Sequence, residues 1–367
     1  MGQYHHPVCI EAEEGLNPAG MDSGLKEGEQ GFSRPSTPNA IIVLVCARGG
    51  NMPADCSQSP LIGRWAGKRV LVQGDYAKDG DIRGWKGPKL SKLYRAMTPV
   101  EERKPKKDWR SIPVFADITR DACAFLEAAC SVRYFEQEQI CKDASGKVLD
   151  RWTSIHSVQV KPVARHFGNC GIAEYVIADG YDARDVEYLK RCGMKPEDVQ
   201  RPPRSGDWHG FLPDEIPEGQ HRVIVNLDTL EYIDPVKFGQ VPTLAGMAAF
   251  APKDRDLPIL KKAAPEWRQQ IVDVAGGLFV TLCHPERRGG GDIPANAAEM
   301  GGIDKERARA AKLFKGVEDV KGRWRGGHIL GTSEIRYEDW PTTEEVLERG
   351  TDISDKVVRY LTAISHF

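Results

Sequence analysis

Gly63-Arg64-Trp65-Ala66-Gly67 reappears as Gly322-Arg323-Trp324-Arg325-Gly326. Recurrence of a tryptophan in one glycine frame directs the search to its flanks. Upstream of each copy lies an apolar run followed by arginine and glycine: IIVLVCARGGN at 41–51 and LFVTLCHPERRGGGD at 278–292. Downstream, Asp117-Ile118-Thr119 opens RDACAFLEAA, and Asp352-Ile353-Ser354 opens DKVVRYLTAI. The openings agree too, as Gly2-Gln3-Tyr4 and Gly219-Gln220-His221. Four landmarks in one order predict two diverged copies of one unit, with intervals changed as surface loops allow.

The unit reads as α+β. After Ser354, residues Val357, Val358, Leu361 and Ile364 share one helical face, and Ala122, Cys123, Leu126 and Ala129 repeat the spacing after Thr119. Thr119 and Ser354 are expected to cap these helices by accepting from first-turn amides. RVIVNLD (222–228) and LEYIDP (230–235) predict strand, tight turn, strand. IIVLV (41–45), KRVLVQ (68–73), LFVTL (278–282) and HIL (328–330) are expected to be further strands, with Trp65 and Trp324 as core anchors. The fold class is therefore α+β: two diverged sheet-plus-helix copies with an inserted α/β segment.

The expected boundaries are 1–135 for the first unit, 136–218 for the insert and a Pro-rich linker, and 219–367 for the second unit. The insert offers strands at SIHSVQV (154–160) and AEYVIA (173–178) and a helix from Asp182 to Gly193. The polar stretch 10–39 reads as loosely structured, and His5-His6 as part of a mobile terminus.

With 40% hydrophobic and 28% charged residues and a net charge of −2, the chain has the composition of a soluble globular protein, without a global pull on nucleic acid or anionic lipid. The apolar run at 40–47 is far shorter than the ~20 residues of a bilayer span, and the start lacks a signal-peptide pattern. Nine cysteines, scattered and without a CxxC pair, suggest reduced thiols. These features lead to an expected cytoplasmic location with no membrane contact.

HRVIVNLDTLEYIDPVKFG, RRGGGD, GRWAGKRVLVQGDY and DISDKVVRYL together resemble an uncharacterised bacterial family of small single-unit proteins. The resemblance implies that all four elements belong to one unit, whereas here they are divided. The second copy keeps Asp234-Pro235-Val236-Lys237-Phe238-Gly239 and the glycine turn, and the first keeps Gly74-Asp75-Tyr76.

The turn Arg287, Arg288, Gly289, Gly290, Gly291, followed by Asp292, is the leading anion-binding candidate, because consecutive glycines let backbone amides converge beside arginine charge. It lacks the P-loop Lys-Ser/Thr and the dinucleotide GxGxxG pattern, and a plain turn with solvated arginines is the favoured reading. Asp75, Asp79 and Asp81 form an acidic turn that could ligate metal or supply a base, although a solvated turn explains them more simply. His284 and His328 flank the predicted core strands, but no four-ligand zinc pattern is visible, and neither a metal nor a cofactor is expected. Segment 86–110, from Lys86 to Arg110, is basic, with Trp85, Tyr94 and Trp109 interleaved. It could grip nucleic acid by phosphate contacts and stacking, against the favoured reading of a solvated loop.

Three functions follow. The leading one is a non-catalytic intracellular binding or assembly protein, with a protein partner or larger assembly, since each copy has lost different elements. The second is an enzyme acting on a phosphorylated or nucleotide-like ligand, which requires Arg288 and Asp75 within about 10 Å of each other. The third is a nucleic-acid-binding protein using the basic segment.

Overall fold

The computed structural model describes residues 3–21, 25–27, 30, 37–47, 59–98, 112–130, 132–142, 148–159, 222–239, 274–285, 293–299, 311–333, 336–337 and 339–365. The two apolar runs expected to be strands are helices: α1 spans Thr37–Val45 and a later helix spans Val274–Leu282. Every residue of both is buried. A helix enclosed on all sides is apolar all round, so its sequence carries no 3.6-residue stripe to separate it from a buried strand.

These helices lie under an eight-stranded mixed sheet. In the N-terminal half its strands are β1 (His5–Cys9), β2 (Glu14–Gly15), β3 (Lys68–Gly74) and β4 (Ala116–Asp117). Between β3 and β4 comes the short α2 (Leu90–Leu93), and α3 (Thr119–Cys130) follows β4. A separate antiparallel hairpin, β5 (Val132–Lys142) and β6 (Val148–Gln159), comes next, and its second strand covers most of the expected SIHSVQV strand. The expected strand at 173–178, the helix at 182–193 and the Pro-rich linker lie outside the described residues. The C-terminal half supplies β7 (Ile224–Asn226), β8 (Glu231–Ile233), α4 (Pro235–Gly239) and α5 (Val274–Leu282). It closes with β9 (Gly327–Gly331), α6 (Thr343–Arg349), β10 (Thr351–Asp352) and α7 (Ser354–Ser365).

The strand order is β10-β8-β7-β9-β3-β1-β2-β4. Its centre is the antiparallel β3–β9 pair, in which Arg69 stands opposite His328, flanked by Lys68 opposite Ile329 and Val70 opposite Gly327. The outermost pairs, β10–β8 and β2–β4, are parallel.

Corresponding positions make corresponding contacts. Trp65 donates its indole N–H to Glu14, which also receives the Arg64 guanidinium; Trp324 donates to Glu231, which receives Arg323. The amides of Arg69 and His328 donate to Glu11 and Asp228. Glu13 and Leu230 carry the two positive-φ backbones found at described non-glycine residues. The halves also exchange contacts. Cys46, after α1, bridges to Gly331 of β9, while Cys283, after α5, bridges to Val72 of β3. Trp340 lies against Gly67 and Trp85 against Gly326; both glycines have positive φ, and a Cβ on either would collide with the indole.

Alternation along the strands sorts the core between two faces. Cys9, Val70, Val72, Ile224, Ile233 and Ile329 pack with α1, α3, α5 and α7, together with the buried Trp65 and Trp324. On the opposite face, Val8 and Leu71 pack beneath α2, and Val225 and Leu330 pack with Val346 of α6.

Helices α3 and α7 begin where expected, but their capping differs from the expectation. The hydroxyls of Thr119 and Ser354 accept from the amides of Asn17 and Asp234 at 2.7 Å, tying each helix to the loop after β2 or β8. The helix-start amides of Thr119 and Ser354 are held instead by Asp117 and Asp352. The described residues of stretch 10–39 also take part in the fold, which the composition did not suggest. It contributes β2, the start of α1, and the buried residues Leu16, Met21, Glu27 and Gln30.

Candidate functional site

The sequence candidates separate on the structure. Arg287, Arg288, Gly289, Gly290, Gly291 and Asp292 lie outside the described residues. So does the proximity expected between Arg288 and Asp75. Asp75 exchanges backbone contacts with Tyr4, accepting at its carboxylate from the Tyr4 amide. Asp79 accepts from Ser91. Asp81 alone of the three meets a buried titratable side chain, His284, at 2.9 Å. His328 pairs with Asp228 rather than approaching His284. Among the described residues no group of three or more His, Cys, Asp or Glu side chains is placed to hold a metal ion.

In the basic segment, residues 99–110, including Trp109, lie outside the described residues. Trp85 packs on Gly326 beneath the Arg69 guanidinium, 5.1 Å from its ring centre, and Tyr94 stacks on His6 at 4.4 Å. Both rings are thus engaged with the protein itself, which corrects the picture of an aromatic-studded loop open to bases.

His5 is the larger correction. It stands in β1, fully buried, with Nε2 3.1 Å from a Glu27 carboxylate that is itself fully buried. Glu27 also meets the buried Lys321 ammonium at 2.7 Å and accepts from the Ile293 amide at 3.0 Å. Lys321 in turn donates to the Ile293 carbonyl at 2.6 Å, and Gln30 fastens the segment by donating to the carbonyls of His5 and Leu25. Burial opposes ionisation of Glu27, but Lys321 and His5 outweigh it and hold the carboxyl at about 2. Cys283 lies against this carboxylate, and burial pushes its thiol well above the usual range, so it is a neutral thiol at physiological pH.

Across the sheet from this group, Arg325 is anchored by a two-step brace. Its Nη2 donates to Gln73 Oε1 at 2.9 Å, and Gln73 Nε2 donates to the Leu90 carbonyl at 2.8 Å. Its Nε and Nη1 are buried and find no hydrogen-bond partner among the described residues. Burial draws its pKa down from 12.5 to about 10 despite the pull of Asp81, Cys283 and Glu27. Asp81, for its part, is engaged by the Lys78 amide and His284. Burial disfavours its charge, but these two bonds prevail and leave its pKa below the usual value.

This polar assembly is confined to one side of the molecule. At the corresponding positions the other half has Ile62 for Lys321, Ala66 for Arg325 and Ala47 for His284, all three of them part of its apolar packing. Arg222, corresponding to His5, is buried and donates to the Ala47 carbonyl at 2.6 Å. The signal for the cluster was present in the repeated pentapeptide, where a charged residue in one copy faces alanine in the other.

Comparison with protein families, with curated proteins and with solved structures finds no match for this chain.

Proposed function

We propose that this chain is a non-catalytic ligand-binding protein, built as a tandem of two diverged copies of one α+β unit, in which residues of both copies converge on one side of the molecule as a receptor cluster. One observation carries the reading: His5 and Glu27 from one end of the chain meet Lys321, Arg325 and His284 from the other in a buried assembly, while Ile62, Ala66 and Ala47 fill the places matching the last three. The fold does not require charge at the places of Lys321, Arg325 and His284, since Ile62, Ala66 and Ala47 occupy their counterparts. Charge retained in an interior against its desolvation cost is better explained by recognition than by stability. The absence of catalysis is supported by the state of the groups: the Cys283 thiol is neutral, and Glu27 is fully buried between His5 and Lys321.

Untargeted mass spectrometry after equilibrium dialysis of the full chain against a metabolite extract tests this. The expected result is enrichment of an intact small molecule, weakened in Lys321→Met, with no metabolite consumed. Depletion of one compound with appearance of another would replace binding by catalysis, and no enrichment at all would end the ligand-binding reading.

A further inference from the structure

The ligand class follows from Arg325, and this inference rests on the binding reading above. We propose that the Arg325 guanidinium receives a small oxyanion, the carboxylate or phosphate group of a metabolite. Only 7% of this residue is exposed, yet Nε and Nη1 have no acceptor among the described residues, while Nη2 is braced through Gln73 to Leu90. A buried donor left unmatched is costly, and the cost is greater when the group is charged. Among the described residues no acceptor meets these two donors. Asp81, whose charge pulls most on Arg325, spends its hydrogen bonds on the Lys78 amide and His284.

The side chain is also fixed in orientation, which is what fork-shaped recognition of a planar or tetrahedral oxyanion needs. An uncharged acceptor would fill the N–H groups and leave the charge uncompensated. The approach is from the side of residues 78–84. Asp81 is partly exposed there, and Gly80 and Gly84 take positive φ with open space around them. Asp81 itself repels an arriving anion, a cost that the Arg325 guanidinium has to outweigh.

Inorganic phosphate and acetate, each against potassium chloride of equal ionic strength, should be titrated into the full chain and followed by thermal unfolding and by calorimetry. The expected result is saturable stabilisation beyond that of chloride by at least one of the two. The stronger arm tells phosphate from carboxylate. Arg325→Met and Arg325→Lys should each weaken the response roughly tenfold or more, the lysine because it keeps charge and loses the fork. Arg64→Gln, whose guanidinium sits on Glu14, should leave the response unchanged. A wild-type response no greater than chloride, or an equal response in Arg325→Met, overturns the proposal. If metabolite enrichment persists while both anions fail, the oxyanion class falls and the binding reading stands.

Discussion

Glu27→Gln should be the most damaging single-atom exchange in the described part of the protein. The substitution keeps the volume of the side chain and removes the charge that neutralises Lys321, whose side chain is wholly buried. Stranding a buried ammonium in this way costs about 3–5 kcal/mol. The linkage argument gives a similar size. The Glu27 carboxyl moves from 4.5 to about 2, pulled down by Lys321 and His5 against burial, and at roughly 1.4 kcal/mol per pH unit this amounts to about 3 kcal/mol. Because the folded value is the lower one, that contribution is complete above pH 4.5 and is lost as the pH falls toward 2. Urea unfolding of both proteins at pH 7 and at steps down to pH 2 measures both effects. The variant should be weaker at pH 7 by the stated amount, with a flatter acid limb. Adding Lys321→Met to Glu27→Gln should restore much of the loss, since a matched apolar replacement leaves no orphan charge. A variant within about 0.5 kcal/mol of wild type at pH 7, or one with an unchanged acid limb, would refute the reasoning, since surface changes stay within that margin.

Glu14→Gln and Glu231→Gln should lower stability by similar amounts, about 1–3 kcal/mol each, because each weakens an arginine contact and the acceptor of a buried indole; denaturant midpoints check this, and a loss in only one half would break the equivalence. Gly331→Ala should cost about 1–3 kcal/mol, since its Cβ would stand 2.9 Å from the Cys46 Cα, a backbone atom that cannot step aside; a thermal midpoint equal to wild type would contradict the close approach.

The α+β class, the β7–β8 hairpin, β3, β9 and the starts of α3 and α7 were legible because each shows a period or a terminator. Helices α1 and α5 were not. Their runs of apolar residues, enclosed on every side, obey neither the two-residue nor the 3.6-residue rule. Glycine is a poor helix former, yet in α5 Gly277 is where Phe238 and Val357 pack, and a Cβ there would meet the Phe238 ring at 2.8 Å. The buried polar cluster was harder still. His5, Glu27, Lys321 and Arg325 come from distant parts of the chain, and each alone reads as an ordinary surface residue. Of the acidic turn, only Asp81 reaches the cluster, because the chain beyond β3 carries it to His284, 203 positions away in sequence. Periodicity is blind to such convergence, whereas comparison of the two halves, position by position, is not.

The crossed bridges of Cys46 to β9 and Cys283 to β3 bear on how such a chain comes apart. Each half closes its own sheet edge with backbone borrowed from the other, so neither has a complete hydrogen-bonded surface of its own. A lone half would carry an open strand edge and an uncovered apolar helix, the ingredients of self-association. Joining both on one polypeptide makes the borrowed segment always present at high local concentration. It also leaves the two halves free to differ, since a substitution in one is not repeated in the other, and a buried polar cluster on one side can coexist with apolar packing opposite.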